Sequence, residues 1–235
     1  TWKGIVFIFL LIILNAIIWW FETPIITQSL ESKLAQIMAS NIIIIFTVVF
    51  FLSTKNRFVT WLFNGLENVY IYHRFLAIIA IVFIFLHSQF SYLIYQYFRP
   101  DLPIRPAFMG LWARNIFIFL VIFALLARYL NYERWRVIHR FMIIPYIMAA
   151  YHAVFISSYD LLSFSPLGVW MNGLVLVGVG SSLYMIVLYR KTAFSYKGMV
   201  EKIHYPTDAV TELSIKMNHR YPFKYGQFAF IKFDR

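Results

Sequence analysis

Long apolar stretches, separated by short polar segments, make up the chain as far as Arg190. A helix that crosses a bilayer needs about 20 mostly apolar residues, because the hydrocarbon core is about 30 Å thick. Six stretches meet this requirement, at about 3–21, 34–52, 69–90, 110–128, 137–156 and 167–189. The segments between them contain proline, asparagine, serine and charged residues, which are typical of loops. The pattern therefore predicts an all-α integral membrane bundle of six helices.

Beyond Arg190 the chain becomes polar and its pattern becomes strand-like. Apolar and polar residues alternate over 210–217 and again over 227–233, with a turn-like segment at 218–222. Two strands do not make a stable domain by themselves. We therefore expect a membrane domain over 1–192, and over 193–235 a linker with the first strands of a second, soluble domain that continues further.

Composition and charge support a membrane location. The chain is 61% hydrophobic and 13% charged, whereas soluble domains are nearer half apolar and a quarter charged. The net charge of +11 does not indicate nucleic-acid binding, because the basic residues lie at the ends of apolar stretches and form no single stripe. Most lysines and arginines of the short loops fall on the side of the N-terminus, so we expect a multi-pass plasma-membrane protein with both termini cytoplasmic.

Histidine is the residue type that carries candidate chemistry. The chain has no cysteine, which excludes thiolate iron–sulfur clusters and the covalent attachment of c-type haem. His73 and His87 lie in the third predicted helix, and His139 and His152 lie in the fifth. Ionisable residues at membrane depth favour a functional interpretation. The structural alternative is that each histidine only forms a hydrogen bond to a neighbouring helix.

The spacing of the four histidines predicts two levels. At 1.5 Å per residue, His87 lies roughly 21 Å from His73 along its helix, and His152 lies roughly 20 Å from His139. The third and fifth helices run parallel, so His73 should face His139 near the cytoplasm and His87 should face His152 near the outside. Two imidazoles per level can bind one haem iron from opposite sides. We therefore predict two stacked b-type haems.

The fifth helix needs a distortion for this arrangement. Fourteen steps of about 100° bring His87 within roughly 40° of the face of His73, but thirteen steps leave His152 about 140° from His139. Pro145 lies between those two ligands, and proline interrupts the hydrogen-bond ladder of a helix. We therefore predict that the fifth helix is distorted at Pro145.

Other residues are weaker candidates. Arg74 and Arg140 each follow an inner histidine, where they suit haem propionates and equally suit a role as topology signals at the interface. Arg99 and Arg105 lie in the predicted outer loop, where a cation would stabilise an anionic product such as superoxide; simple solvation is the alternative. Gly178 and Gly180 in the sixth helix favour close helix packing rather than nucleotide binding.

The fragments His73-Arg74-Phe75 through His87 and Trp135 through His152, within a six-helix frame, resemble the ferric reductase and NADPH oxidase superfamily, most closely a bacterial NADPH oxidase. The resemblance implies electron flow from NADPH through FAD and the inner and outer haems to oxygen or ferric iron outside. Tyr225-Gly226-Gln227-Phe228 resembles the Pro-Gly-Gln-Phe element of a flavin-binding β-barrel, with tyrosine in place of proline. Tyr225, Gln227 and Phe228 are then the FAD-binding candidates.

The later flavin motif and the glycine-rich nicotinamide motif do not occur in these 235 residues. We therefore expect FAD and NADPH to bind a missing C-terminal dehydrogenase domain. The leading hypothesis is an oxidase that forms superoxide from oxygen, and a ferric reductase is the second. A third is a haem subunit that works with a separate flavoprotein, similar to the membrane partner of methionine sulfoxide reductase. A fourth is an ion transporter with intramembrane histidines.

Overall fold

A computed structural model describes residues 2–23, 30–97, 103–129, 131–189 and 196–220, together with Ile231 and Phe233. The chain divides into two compact units, Thr1–Ile186 and Val187–Arg235. The helices of the first unit are α1 (Trp2–Glu22), α2 (Leu30–Ser53), α3 (Arg57–Leu62), α4 (Leu66–Tyr97), α5 (Ile104–Leu125), α6 (Tyr132–His139), α7 (Ile143–Ile156) and α8 (Pro166–Leu183). A 3-10 turn at Arg140–Met142 joins α6 to α7, and a π-helical turn at Tyr184–Leu188 follows α8.

The six predicted membrane helices are confirmed. The six apolar spans are α1, α2, α4, α5, the α6–α7 pair and α8 with its π-helical turn, and each is long enough to cross a bilayer. The second, fourth and fifth spans begin four to six residues earlier than predicted, at Leu30, Ile104 and Tyr132. Their first turns contain charged residues, which the hydropathy pattern assigned to loops. A helix can continue past the hydrocarbon core into the interface, where polar side chains are tolerated.

Helix α2 is the centre of the bundle. Over its most apolar window 56% of the residues are buried, against 22% for α1, α4, α5 and the α6–α7 span. Every residue from Ile42 to Phe50 is buried, and α2 packs against α1, α4, α7 and α8. A helix that is apolar on all sides is typically enclosed by others. The outer helices instead expose large apolar side chains, as lipid contact requires.

The predicted distortion of the fifth span is present, but it lies one turn before Pro145. The chain makes a 3-10 turn at Arg140–Met142 and starts α7 at Ile143, so Pro145 occupies the first turn of a new helix. The N–H groups in the first turn of a helix have no acceptor within that helix, so a proline there costs no hydrogen bond. A 3-10 helix turns by about 120° per residue, whereas an α-helix turns by about 100°. Three residues of 3-10 helix therefore add about 60° of rotation, which brings His152 closer to the face of His139.

A buried polar contact ties three helices together near the middle of the bundle. Tyr146 of α7 is fully buried, and its hydroxyl lies 2.7 Å from Thr47 Oγ1 of α2. Thr47 Oγ1 also lies 3.3 Å from the carbonyl oxygen of Leu174 in α8. Gly178 of α8 lies directly against the tyrosine, since a Cβ there would be 2.4 Å from Tyr146 Oη. The close-packing interpretation is confirmed for Gly178 but is wrong for Gly180, where a Cβ would meet no atom within 4 Å.

The second unit contains a two-stranded antiparallel hairpin, β1 (Gly198–Thr207) and β2 (Val210–Met217). Strand β2 was predicted, whereas β1 was missed because register irregularities after Val200 and His204 break its alternation. Apart from Ile231 and Phe233, the predicted strand over 227–233 lies outside the described residues. Most of the hairpin's side chains are exposed, including Met199 at 70%. A hairpin needs further strands for stability, and its assignment to a flavin-binding domain stays a prediction.

Substitution of Gly178 tests the contact between α8 and α7. In Gly178→Ala the new Cβ would overlap the Tyr146 hydroxyl, and because Tyr146 is buried it cannot swing away. We expect a loss of about 1–3 kcal/mol, typical of overpacking, seen as a lower midpoint of thermal unfolding in detergent. Gly180→Ala is the matched control, since a Cβ there meets no atom within 4 Å. Equal stability of the two variants would contradict this packing.

Candidate functional site

The four membrane histidines form two pairs. The ring centres of His73 and His139 are 6.1 Å apart with an angle of 58° between the rings. Those of His87 and His152 are 6.3 Å apart with an angle of 73°. Each pair joins α4 to the fifth span, and the partners are those that the depth argument predicts. The uninterrupted helix α4 and the overwound α6–α7 span therefore bring two imidazoles together at each of two levels.

Backbone carbonyls orient two of the rings. The Nδ1 atom of His73 is 3.1 Å from the carbonyl oxygen of Val49, and that of His152 is 2.9 Å from the carbonyl oxygen of Pro106. A carbonyl oxygen can only accept, so each Nδ1 carries the proton and donates it. The Nε2 atom then keeps its lone pair for a metal, and the hydrogen bond fixes the ring orientation. Both rings have the tautomer that a ligand requires.

The other two rings have different surroundings. Ser91 Oγ lies 3.3 Å from both ring nitrogens of His87, one turn further along α4. His139 stacks on the indole of Trp135, with ring centres 5.1 Å apart and 19° between the planes. The Nδ1 atom of His139 is buried and has no hydrogen-bond partner within the described part of the chain.

A cavity of about 540 Å³ adjoins the outer pair. Both His87 and His152 line it, among mostly small and apolar side chains from α2, α4, α5 and α7. Gly110 of α5 makes room for the His152 ring, since a Cβ there would lie 2.5 Å from Nδ1. The same absence of a side chain lets the Pro106 carbonyl, one helical turn away, reach the ring. The outer pair therefore lies beside a preformed, largely apolar space.

The histidine pairs fit a haem. An imidazole nitrogen binds a first-row metal at about 2.0–2.1 Å, which places the centres of two opposed imidazole rings about 6 Å apart. The observed 6.1 and 6.3 Å agree with that value. The outer cavity falls within the usual size range of cofactor pockets, roughly 300–1,000 Å³. Among the described residues no three histidine, aspartate or glutamate side chains cluster, whereas a porphyrin provides four further nitrogen ligands.

The predicted arginines have different positions. Arg74 is exposed, and Arg140 is half-buried at the start of the 3-10 turn. Arg105 lies in the first turn of α5, where its side chain is exposed and does not line the cavity. Arg99 and the flavin candidates Tyr225, Gln227 and Phe228 lie outside the described residues. The roles assigned to these residues stay predictions.

Three residues near the outer pair were not singled out from the sequence as site residues. Trp19, Gly110 and Arg114 all line the outer cavity. With the fourth span predicted to begin at about 110, Arg114 would lie near the end of the helix, at the membrane interface. With α5 starting at Ile104, Arg114 lies within the span, roughly 15 Å along the helix from that residue. A charged residue at that depth is a functional candidate by the criterion applied to the histidines.

Comparison with known proteins bears on the membrane domain. Residues 38–150 match the family described as ferric reductase like transmembrane component. The matched range runs from α2 into α7 and includes His73, His87 and His139, while His152 lies two residues beyond it. No curated protein matches the chain. The family indicates an oxidoreductase that transfers electrons across a membrane. Residues 38–150 therefore form a ferric-reductase-like transmembrane domain, which supports the resemblance to the ferric reductase and NADPH oxidase superfamily.

Proposed function

We propose that the chain is the membrane part of an NADPH-oxidase-type oxidoreductase of bacterial type, which carries electrons from cytosolic NADPH and FAD through two b-type haems to oxygen outside, giving superoxide. The observation that carries the proposal is the pairing of His73 with His139 and of His87 with His152. In each pair the distance between the ring centres is that expected for two imidazoles that bind one metal ion. A haem held in this way supplies one-electron transfer.

The residues of the chain would hold and insulate these groups. Val49 and Pro106 fix the rings of His73 and His152 through their carbonyl oxygens, so that both Nε2 atoms keep a lone pair for a metal ion. Between the two levels Leu76, Ala80 and Tyr146 are buried, as are the residues of α2 that face them. A dry interior of this kind excludes water and protons from the path and keeps the surroundings of each level fixed.

The electron source would lie on the cytoplasmic side. The excess of lysine and arginine in the loops on the side of the N-terminus favours cytoplasmic termini in a plasma membrane. The exposed apolar side chains of β1 and β2 suit the beginning of a larger sheet, as a dehydrogenase domain with FAD and NADPH would provide. The strand-like tail with Gly226-Gln227-Phe228, which resembles a flavin-binding element, argues against a subunit that depends on a separate flavoprotein.

A ferric reductase is the second candidate. The observation that favours it is the family match itself, whose description names ferric reductases. The same histidine pairs would serve oxygen or ferric iron as the electron acceptor. The choice between these two acceptors therefore depends on the outer surface of the protein. Arg99 and Arg105 remain our candidates for stabilising an anionic product such as superoxide there.

The visible spectrum tests the haem assignment. Purified protein should show a reduced b-type spectrum with two haems per chain. His87→Ala should lose the outer haem and keep the inner one, and His73→Ala should do the reverse, because each variant removes one of the two histidines that would hold the haem at one level. The measurement is a haem assay with a resolved redox titration for each variant. An ion transporter would not bind haem and would be colourless. Wild-type protein without visible absorption would therefore refute the proposal.

Substitution of Gly110 tests the outer level without removing a ligand. In Gly110→Ala the new Cβ would displace the His152 ring and its bond to Pro106. Loss of such an orienting contact weakens metal binding by about 10–100-fold, so the outer haem should dissociate faster to apomyoglobin while the inner haem is unaffected. Gly173→Ala, in open space on α8, is the control. Equal dissociation of both haems from Gly110→Ala would contradict the assignment.

The acceptor is decided with the full-length protein. Dye reduction that superoxide dismutase abolishes, in the presence of NADPH, is expected if oxygen is the acceptor. Faster reduction of a ferric chelate, unaffected by the dismutase, would establish the ferric reductase instead.

A further inference from the structure

Buried donors without acceptors are concentrated at the two histidine levels. Within the described chain, four buried side-chain nitrogens have no hydrogen-bond partner: Trp19 Nε1, Trp135 Nε1, Arg136 Nε and His139 Nδ1. Three of them lie on α6 within five residues that end at the inner ligand, and Trp19 lines the outer cavity. A buried donor without a partner costs about 1–3 kcal/mol. Trp19, Trp135 and Arg136 can only donate, so these three groups indicate that acceptors bind at the two levels.

The inner donors lie on the same helix face as their ligand. Trp135 and Arg136 precede His139 by four and three residues, which are the spacings that share a face. The Trp135 indole lies flat against the His139 ring. Arg74 and Arg140 directly follow their histidines, so each is turned about 100° away from the ligand. The geometry therefore favours Trp135 and Arg136 over the two arginines that the sequence suggested.

The positive charge of Arg136 favours an anionic acceptor at the inner level, and the indole N–H groups of Trp135 and Trp19 can donate to one. The indole N–H can only donate, and so can a guanidinium. The Arg136 guanidinium pairs with Glu133 through a terminal nitrogen and lies over the Tyr132 ring, while its buried Nε has no hydrogen-bond acceptor among the described residues. At the outer level Trp19 is only 3% exposed, in a cavity whose lining is mainly apolar. A carboxylate offers about four lone-pair sites and matches such donors.

We propose that Trp135 and Arg136 bind a carboxylate of the inner haem, and that Trp19 donates to a carboxylate of the outer haem. The proposal rests on the proposed function, since it requires a haem at each level. It assigns one tryptophan to each level, on different helices, and the two assignments rest on separate observations. An anionic lipid phosphate at the cytoplasmic interface has similar chemistry, and the test below distinguishes it.

Each tryptophan should affect the midpoint potential of one haem only. Loss of a donor leaves a carboxylate less compensated, which favours the more positive ferric state and lowers the potential. We expect Trp135→Phe and Arg136→Gln to change the reduction equilibrium of the inner haem about threefold to tenfold, where tenfold corresponds to 59 mV. Trp19→Phe should shift only the outer haem. The readout is a redox titration of the intact membrane protein.

Matched controls separate this role from general disturbance. Arg134→Gln removes the same charge from an exposed position on α6, and Trp112→Phe changes an indole that is 57% exposed on α5. Neither should move a midpoint. Arg136→Gln also leaves the Glu133 carboxylate without its ion-pair partner. The double variant with Glu133→Gln keeps the net charge constant and should still shift the midpoint potential of the inner haem. Transfer of haem to apomyoglobin should be about threefold faster from the affected level.

Several outcomes would overturn the proposal. Two haems with unchanged midpoints in Trp135→Phe, Arg136→Gln and Trp19→Phe would refute it while leaving the proposed function intact. Unchanged midpoints with loss of co-purifying anionic lipid from Arg136→Gln would assign the inner donors to a lipid phosphate. Wild-type protein without haem would refute both this proposal and the proposed function.

Discussion

The need to bond every backbone polar group within the chain is the constraint on which this structure depends. The hydrocarbon core offers no water, so a free N–H or C=O there costs several kcal/mol and only closed ladders such as helices can cross. The departures from regular helix within the spans are short: the 3-10 turn at Arg140–Met142 and the π-helical turn at Tyr184–Leu188. Both keep backbone hydrogen bonds while they change the angle between successive residues.

That constraint explains how the fifth span serves two levels. An unbroken helix would point His139 and His152 in different directions, and a non-helical break would leave polar groups unpaired in lipid. A 3-10 turn followed by a new helix solves both problems, since overwinding rotates the second ligand and the restart places Pro145 where its missing N–H is harmless. The proline and the overwound turn are therefore parts of one local solution.

Helix α2 connects the central packing to the sites, although it carries no metal-ligand candidate. It provides the Val49 carbonyl for His73, the Thr47 hydroxyl for Tyr146 and part of the lining of the outer cavity. Its side chains are enclosed by four other helices. Because protein interiors are close-packed and transmit strain, a shift of α2 would be felt at both histidine levels. The outer helices contact lipid and have more freedom in the choice of apolar residue.

The sequence by itself determined the six spans, the two histidine levels and their pairing. Apolar length, the rise of a helix and the parallel direction of alternate spans are local or additive properties, and they can be counted along the chain. The sequence also identified Pro145 as a point of distortion. It missed β1, whose irregular register hides the alternation, and it did not show that the overwound turn lies just before Pro145.

Only the tertiary structure decided which groups surround the histidines. The Val49 and Pro106 carbonyls belong to helices remote in sequence from the rings that they orient, and backbone atoms leave no signal in a pattern of side chains. Gly110 and Gly178 are important because of what lies opposite them, His152 and Tyr146. In the sequence, Trp19 and Trp135 do not differ from the many other aromatic residues. In the structure, their indole nitrogens are buried and have no acceptor among the described residues. Spacing along the chain determines how deep a residue lies in the membrane and on which face of its helix it lies. Its neighbours on other helices depend on how the helices pack.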